Sequence, residues 1–105
     1  MGERVRLCAS AEVPAGTARR FDIGEHRIAL IRVGDSFYAL GDRCSHADYS
    51  LSEGEVFGED LEIECWKHGS TFSLVDGQPQ SLPAVKAVPV YRVEVEGDDV
   101  NVVIP

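Results

Sequence analysis

Short stretches in which apolar residues alternate with polar ones, or run together, are separated throughout the chain by glycine-bearing turns. Leu61-Glu62-Ile63-Glu64-Cys65 alternates strictly, the period of a strand with one face in a core and the other in water. His26-Arg27-Ile28-Ala29-Leu30-Ile31-Arg32-Val33 is largely apolar and rich in β-branched residues, which also predicts a strand. Gly24-Glu25 joins it to residues 17–23 as a two-residue hairpin, and Gly34-Asp35 turns it into Ser36-Phe37-Tyr38-Ala39-Leu40. Residues 17–40 therefore predict an antiparallel meander.

Residues 5–8 predict a first strand, followed by the turn signal Val13-Pro14-Ala15-Gly16. Residues 71–74 predict the return strand for residues 61–65, with Cys65 to Ser70 at the hairpin tip. Asp76-Gly77-Gln78-Pro79 reads as a turn, and Pro83 and Pro89 bracket a segment unsuited to helix. Residues 88–96 and 100–104 predict a closing hairpin over Gly97-Asp98-Asp99. Residues 50–60 are polar and acid-rich with glycines at 54 and 58, a spacer with at most a turn or a short strand. Helix signals are weak and no repeat is present, so the expected class is all-β, an antiparallel sandwich or small barrel.

Composition narrows the function classes. A chain of 105 residues predicts one domain, residues 1–105, and 44% hydrophobic against 27% charged residues predicts an ordered globule. The formal net charge of -8 disfavours nucleic acid, which needs a basic face, and favours a basic partner. The first residues, Met1-Gly2-Glu3-Arg4-Val5-Arg6-Leu7, contain no apolar run, and Arg6 stands where an acylation motif at Gly2 would place Ser or Thr. The expectation is a soluble, cytoplasmic protein without membrane attachment, and a monomer. Three cysteines do not make a disulfide framework, and two of them stand beside histidines. Cys8, the third, is expected to be a small buried apolar residue.

The chemistry is concentrated in two segments, Cys44-Ser45-His46 and, after eighteen intervening residues, Cys65-Trp66-Lys67-His68-Gly69-Ser70. Each supplies one soft thiolate and one imidazole, donors that suit zinc or iron–sulfur clusters. A lone histidine in a β-protein is more often hydrogen-bonded core or surface, and His26 is read so. His46 and His68 differ because each is tied by sequence to a cysteine in a turn. Structural zinc sites commonly pair like ligands, Cys with Cys and His with His, whereas here each pair is mixed and the first is separated by a single residue. A dinuclear centre accommodates that pattern better, although a zinc module remains open.

The pattern Cys-x-His … Cys-x-x-His resembles that of the Rieske proteins, most clearly from Cys44 to Phe72. The resemblance implies an all-β Rieske-like fold with a cluster-binding subdomain of two ligand loops. It implies one [2Fe–2S] cluster per chain, with Cys44 and Cys65 on the buried iron and His46 and His68 on the outer one. Two departures from the high-potential branch of the family stand out. Its loop-bracing extra cysteines fall on Tyr49 and Lys67, and its sulfur-bonding tyrosine falls on Phe72, whereas its serine partner is present as Ser70. Such loops must be held by packing and hydrogen bonds, as in the soluble ferredoxins.

Two thiolates and two neutral imidazoles make an oxidised cluster formally neutral, so adding an electron costs less than with four thiolates. That implies a potential in the range of about −150 to +300 mV. With all four ligand positions filled by protein, the chain is expected to carry electrons and to have no catalytic residue. The implied partners are a flavin-containing reductase and a terminal non-haem iron oxygenase. The alternatives are a redox or assembly module working beside iron–sulfur biogenesis, and a structural zinc module. A nitrite-reductase-type small subunit, which shares the fold without the ligands, is disfavoured because all four ligands are present. Glu53, Glu55, Glu59, Asp60, Glu62 and Glu64 form either a solvated face or an acidic docking rim. The purified protein is expected to hold two irons and two sulfides per chain, with visible absorption and an EPR signal that appears on dithionite reduction. Cys44→Ser or Cys65→Ser abolishes both, whereas one zinc and no sulfide would end the Rieske reading.

Overall fold

The computed structural model describes residues 2–43, 50–66, 69–80 and 86–104. Strands β1 (Glu3–Ala9), β2 (Ala18–Ile23), β3 (His26–Val33), β4 (Ser36–Gly41), β8 (Val90–Glu96) and β9 (Asp99–Ile104) build one six-stranded sheet. Its order is β1-β9-β8-β4-β3-β2, with every neighbouring pair antiparallel, and it curls into a half-barrel. The short strands β5 (Val56–Phe57), β6 (Glu62–Glu64) and β7 (Thr71–Ser73) form a second antiparallel sheet in that order. The expected all-β architecture and the meander over residues 17–40 are both present.

Strands β4 and β8 are neighbours in the large sheet, yet the whole of the small sheet lies between them in sequence. The cap that carries the two candidate ligand loops is thus an insertion between two paired strands. Its exit and return meet at a narrow neck, where the Gly41 amide donates to the Pro89 carbonyl at 2.7 Å. A Cβ on Gly41 would stand 2.9 Å from the Pro89 ring, so the close approach requires glycine there.

Two buried clusters explain why β3 reads as a nearly continuous apolar run. Ile28 and Leu30 of β3 and Ala39 of β4 join Cys8, Val13, Tyr91, Val100, Val102 and Ile104 in one core. Ala29 and Ile31 of β3 and Leu40 of β4 face the other way and pack with Leu51, Ile63, Cys65, Phe72, Leu74 and Val88. The central strands are therefore buried on both faces, and a strand in that position needs apolar side chains at every step.

The strand expected over residues 61–65 is shorter than its alternation implies. Leu61 adopts a left-handed conformation, with φ of 53°, so the ladder starts at Glu62. At the other end the pairing of β6 with β7 runs one step beyond Glu64, since the Cys65 amide donates to the carbonyl of Ser70, the residue opposite it in the register, at 2.7 Å. The spacer contains a 3₁₀ turn, Leu51–Glu53, and strand β5, and Leu51 is buried. Of the segment bracketed by Pro83 and Pro89, residues 86–89 are described and are not helical, as expected, and residues 83–85 lie outside the described residues.

Gly54 lies where the spacer presses against β6, and a Cβ there would overlap the Glu64 carbonyl. Because that neighbour is backbone in a hydrogen-bonded sheet, it cannot move aside cheaply. Gly54→Ala is expected to lower stability by about 3 kcal/mol, measured by denaturant unfolding. Gly97→Ala, in an open turn, is the comparison for the cost of losing a left-handed glycine alone.

Candidate metal centre

Of the four candidate ligands, Cys65 is described; Cys44, His46 and His68 lie outside the described residues, as do Tyr49 and Lys67. Strand β6 carries Cys65 to the edge of the cap, where the side chain is fully buried and forms no disulfide. Backbone bonds join the two described sides of the hairpin tip. The Cys65 amide donates to the Ser70 carbonyl, and the Gly69 amide donates back to the Cys65 carbonyl at 2.9 Å. Gly69 sits at φ 74°, a conformation that glycine adopts without strain.

The first loop is closed as well. Arg43 and Ser50 form an isolated antiparallel bridge, so the segment that contains Cys44 and His46 springs from two adjacent feet. Asp42, fully buried, ties those feet together: its carboxylate accepts from Ser50 Oγ and from the Ser52 amide at 2.8 Å. Its carbonyl also accepts from the Leu51 amide at 2.6 Å.

The bases of the two loops abut. Gly54, which follows the first loop, contacts Glu64, which precedes Cys65, and the Glu64 amide donates to the Glu55 carbonyl at 2.9 Å. Leu51 and Cys65 share one buried cluster. Two closed loops with adjoining bases, one presenting a buried thiol and the other bearing Cys44 and His46 in sequence, fit a cluster with mixed thiolate and imidazole ligands.

The sequence of this site aligns with known proteins. The Rieske [2Fe-2S] domain model matches residues 3–92. The chain belongs to the Rieske [2Fe-2S] family. A relative in Shigella boydii, the ferredoxin subunit of 3-phenylpropionate/cinnamic acid dioxygenase, is 42% identical over 102 residues, spanning 97% of this chain and 94% of that one. The same subunit in Escherichia coli K12 matches to the same extent. Among solved structures, the ferredoxin of carbazole 1,9a-dioxygenase from Nocardioides aromaticivorans superposes with a TM-score of 0.92 at 36% identity, covering 97% of each chain. A ferredoxin solved in complex with the oxygenase of carbazole 1,9a-dioxygenase gives 0.87 at 40% identity, covering 94% of this chain and 91% of that one. The Rieske family carries a [2Fe–2S] cluster, and these relatives are ferredoxin subunits, the electron carriers of oxygenase systems.

The remaining candidates fall where expected. The His26 Nδ1 lies 3.0 Å from the Tyr91 hydroxyl, with the rings edge to face, so this histidine is a hydrogen-bonded structural residue. Cys8 is buried in the half-barrel core, and burial pushes its thiol pKa up, away from the thiolate a metal would need. Trp66 is 49% exposed. Asp42, Ser50, Ser52 and Gly54 were not legible as site residues. The available signal was modest: short polar residues that close turns flank the Cys44 loop.

Ser70 and Phe72 are both fully buried, and Phe72 packs in the same cluster as Cys65. A hydroxyl that donates to a cluster sulfur stabilises the more negative reduced state. At about 1 kcal/mol per hydrogen bond, each such donor raises the potential by roughly 40 mV. Ser70→Ala is expected to lower the potential by that amount in protein-film voltammetry, and Phe72→Tyr to raise it. An unmoved potential in Ser70→Ala would make the serine a loop brace alone.

Proposed function

We propose that this chain is the ferredoxin of a multi-component aromatic-ring dioxygenase, a single-domain monomer working in the cytoplasm. It takes single electrons from a flavin-containing reductase and passes them to a terminal non-haem iron oxygenase. The observation that carries this reading is the match over nearly the whole chain to ferredoxin subunits of dioxygenases, with all four ligand-type residues present in this sequence. The same match favours it over an assembly-associated module and over a structural zinc site.

Cys44, His46, Cys65 and His68 hold the cluster in this reading. A [2Fe–2S] cluster bound there supplies a one-electron couple. The protein's own residues do the rest: the two closed loops fix the donors, the core around Cys65 excludes water on the inner side, and Trp66 offers an exposed aromatic contact.

Charge is distributed so as to guide the encounter. Residues 44–80 hold eight acids and one base, Lys67, so they account for seven of the eight net negative charges. On the large sheet the charges are paired: Arg4 with Glu94 and Glu96, Arg6 with Asp99, Arg19 with Glu12, and Arg32 with Asp35. Among the described residues, no salt bridge is formed by Glu53, Glu55, Glu59, Asp60, Glu62 or Glu64. Glu62 and Glu64 stand on the face of β6 opposite the buried Ile63. This favours an acidic docking rim for a basic partner over a merely solvated face.

Stopped-flow transfer to the oxygenase, with the reductase supplying electrons, tests the proposal. Transfer is expected to slow steeply as salt rises, since the Debye length is only about 8 Å at physiological ionic strength. Reversing Glu53, Glu55 and Glu59 together is expected to slow it at low salt by about tenfold or more and to flatten the salt dependence. An unchanged rate and slope would place the docking surface elsewhere, and no transfer from the native protein would end the functional reading.

A further inference from the structure

We propose that Asp42 is a positioning residue for the cluster, a buried carboxylate that holds the first ligand loop closed. The inference rests on Cys44 and His46 being ligands, as in the preceding section. Three features distinguish Asp42 from an ordinary polar residue in a turn.

The first is burial. Asp42 has no exposed surface, and a carboxylate in such a place is costly unless its oxygens are bonded. Packing alone would be served by an apolar side chain.

The second is where the bonds go. Oδ2 accepts from Ser50 Oγ, Oδ1 accepts from the Ser52 amide at 2.8 Å, and the main-chain carbonyl accepts from the Leu51 amide at 2.6 Å. Ser50 Oγ in turn lies 2.8 Å from Ser52 Oγ. Three consecutive residues on the far side of the loop are therefore bound to one residue on the near side. Asp42 stands two positions before Cys44, so these bonds fix the distance between the feet of the segment that bears Cys44 and His46.

The third is anchorage. The Asp42 amide donates to the Arg27 carbonyl of β3 at 2.8 Å, and Arg20 Nε of β2 lies 3.7 Å from Oδ2. The clamp thus ties the loop to the large sheet as well as to itself.

The test uses the purified holoprotein and measures the rate at which a chelator bleaches the visible absorption, together with EPR g-values after dithionite reduction. Asp42→Ala is expected to bleach about tenfold faster and to shift the g-values, whereas Asp42→Asn, whose side chain can still accept from the Ser52 amide, stays within about twofold of native. Val100→Ala, in the other core, is expected to lower the thermal midpoint without faster bleaching. Native bleaching and g-values in Asp42→Ala would overturn the proposal. If that variant does not fold, Ser50→Ala serves, expected to bleach about threefold faster through the loss of one bond. A native rate there overturns the proposal equally. Cys44→Ser separates the two readings. A native two-iron spectrum in it would sink the ligand assignment itself, whereas loss of the cluster in Cys44→Ser beside an unaltered Asp42→Ala would sink the clamp alone.

Discussion

The burial of β3 and β4 on both faces is the constraint on which the rest of the molecule depends. A sheet of two- and three-residue strands such as β5, β6 and β7 buries too little to stand alone. Its stability comes from laying Ile63, Phe72 and Leu74 onto Ala29, Ile31 and Leu40. Each large aliphatic or aromatic side chain fully removed from water contributes roughly 1.5–3 kcal/mol, so a handful suffices to seat the cap. The order of the candidate metal centre is therefore borrowed from the half-barrel beneath it.

Closeness of backbone to backbone does the rest, at positions defined by what they lack. Gly41 admits the Pro89 ring at the neck of the insertion, and Gly54 admits the Glu64 carbonyl where the two loop bases join. Neither contact involves a side chain of the glycine. Their effect on the site is nonetheless direct, because an insertion that could not return beside its own exit would leave its two loops unregistered.

Periodicity made most of the fold legible. The meander of β2, β3 and β4 was readable from Gly24-Glu25 and Gly34-Asp35 because two-residue turns between β-rich runs leave the chain few options. The pairing of β1 with β9, and the insertion of the cap between β4 and β8, were not readable, because such partners are distant in sequence and no local pattern encodes them. At the site, Cys65 announced itself by its place in a motif, whereas its full burial was not readable from a hairpin tip. Asp42 and Gly54 did not, since their importance lies in what approaches them in three dimensions. Leu61 shows the opposite failure: an alternating pattern ran through a residue whose backbone conformation is not a strand's.

The separation of charge between the two sheets has one more consequence. A half-barrel whose arginines are neutralised in pairs, joined to a cap carrying most of the net charge, makes the molecule an electric dipole with its negative end at the cap. In the field of a positively charged protein such a body experiences a torque before it makes contact, and it turns its cap forward. An electron carrier must meet two different proteins in alternation, each time with the same small part of its surface. Orientation in flight shortens the rotational search at both meetings, and it does so without tighter binding, which would slow departure.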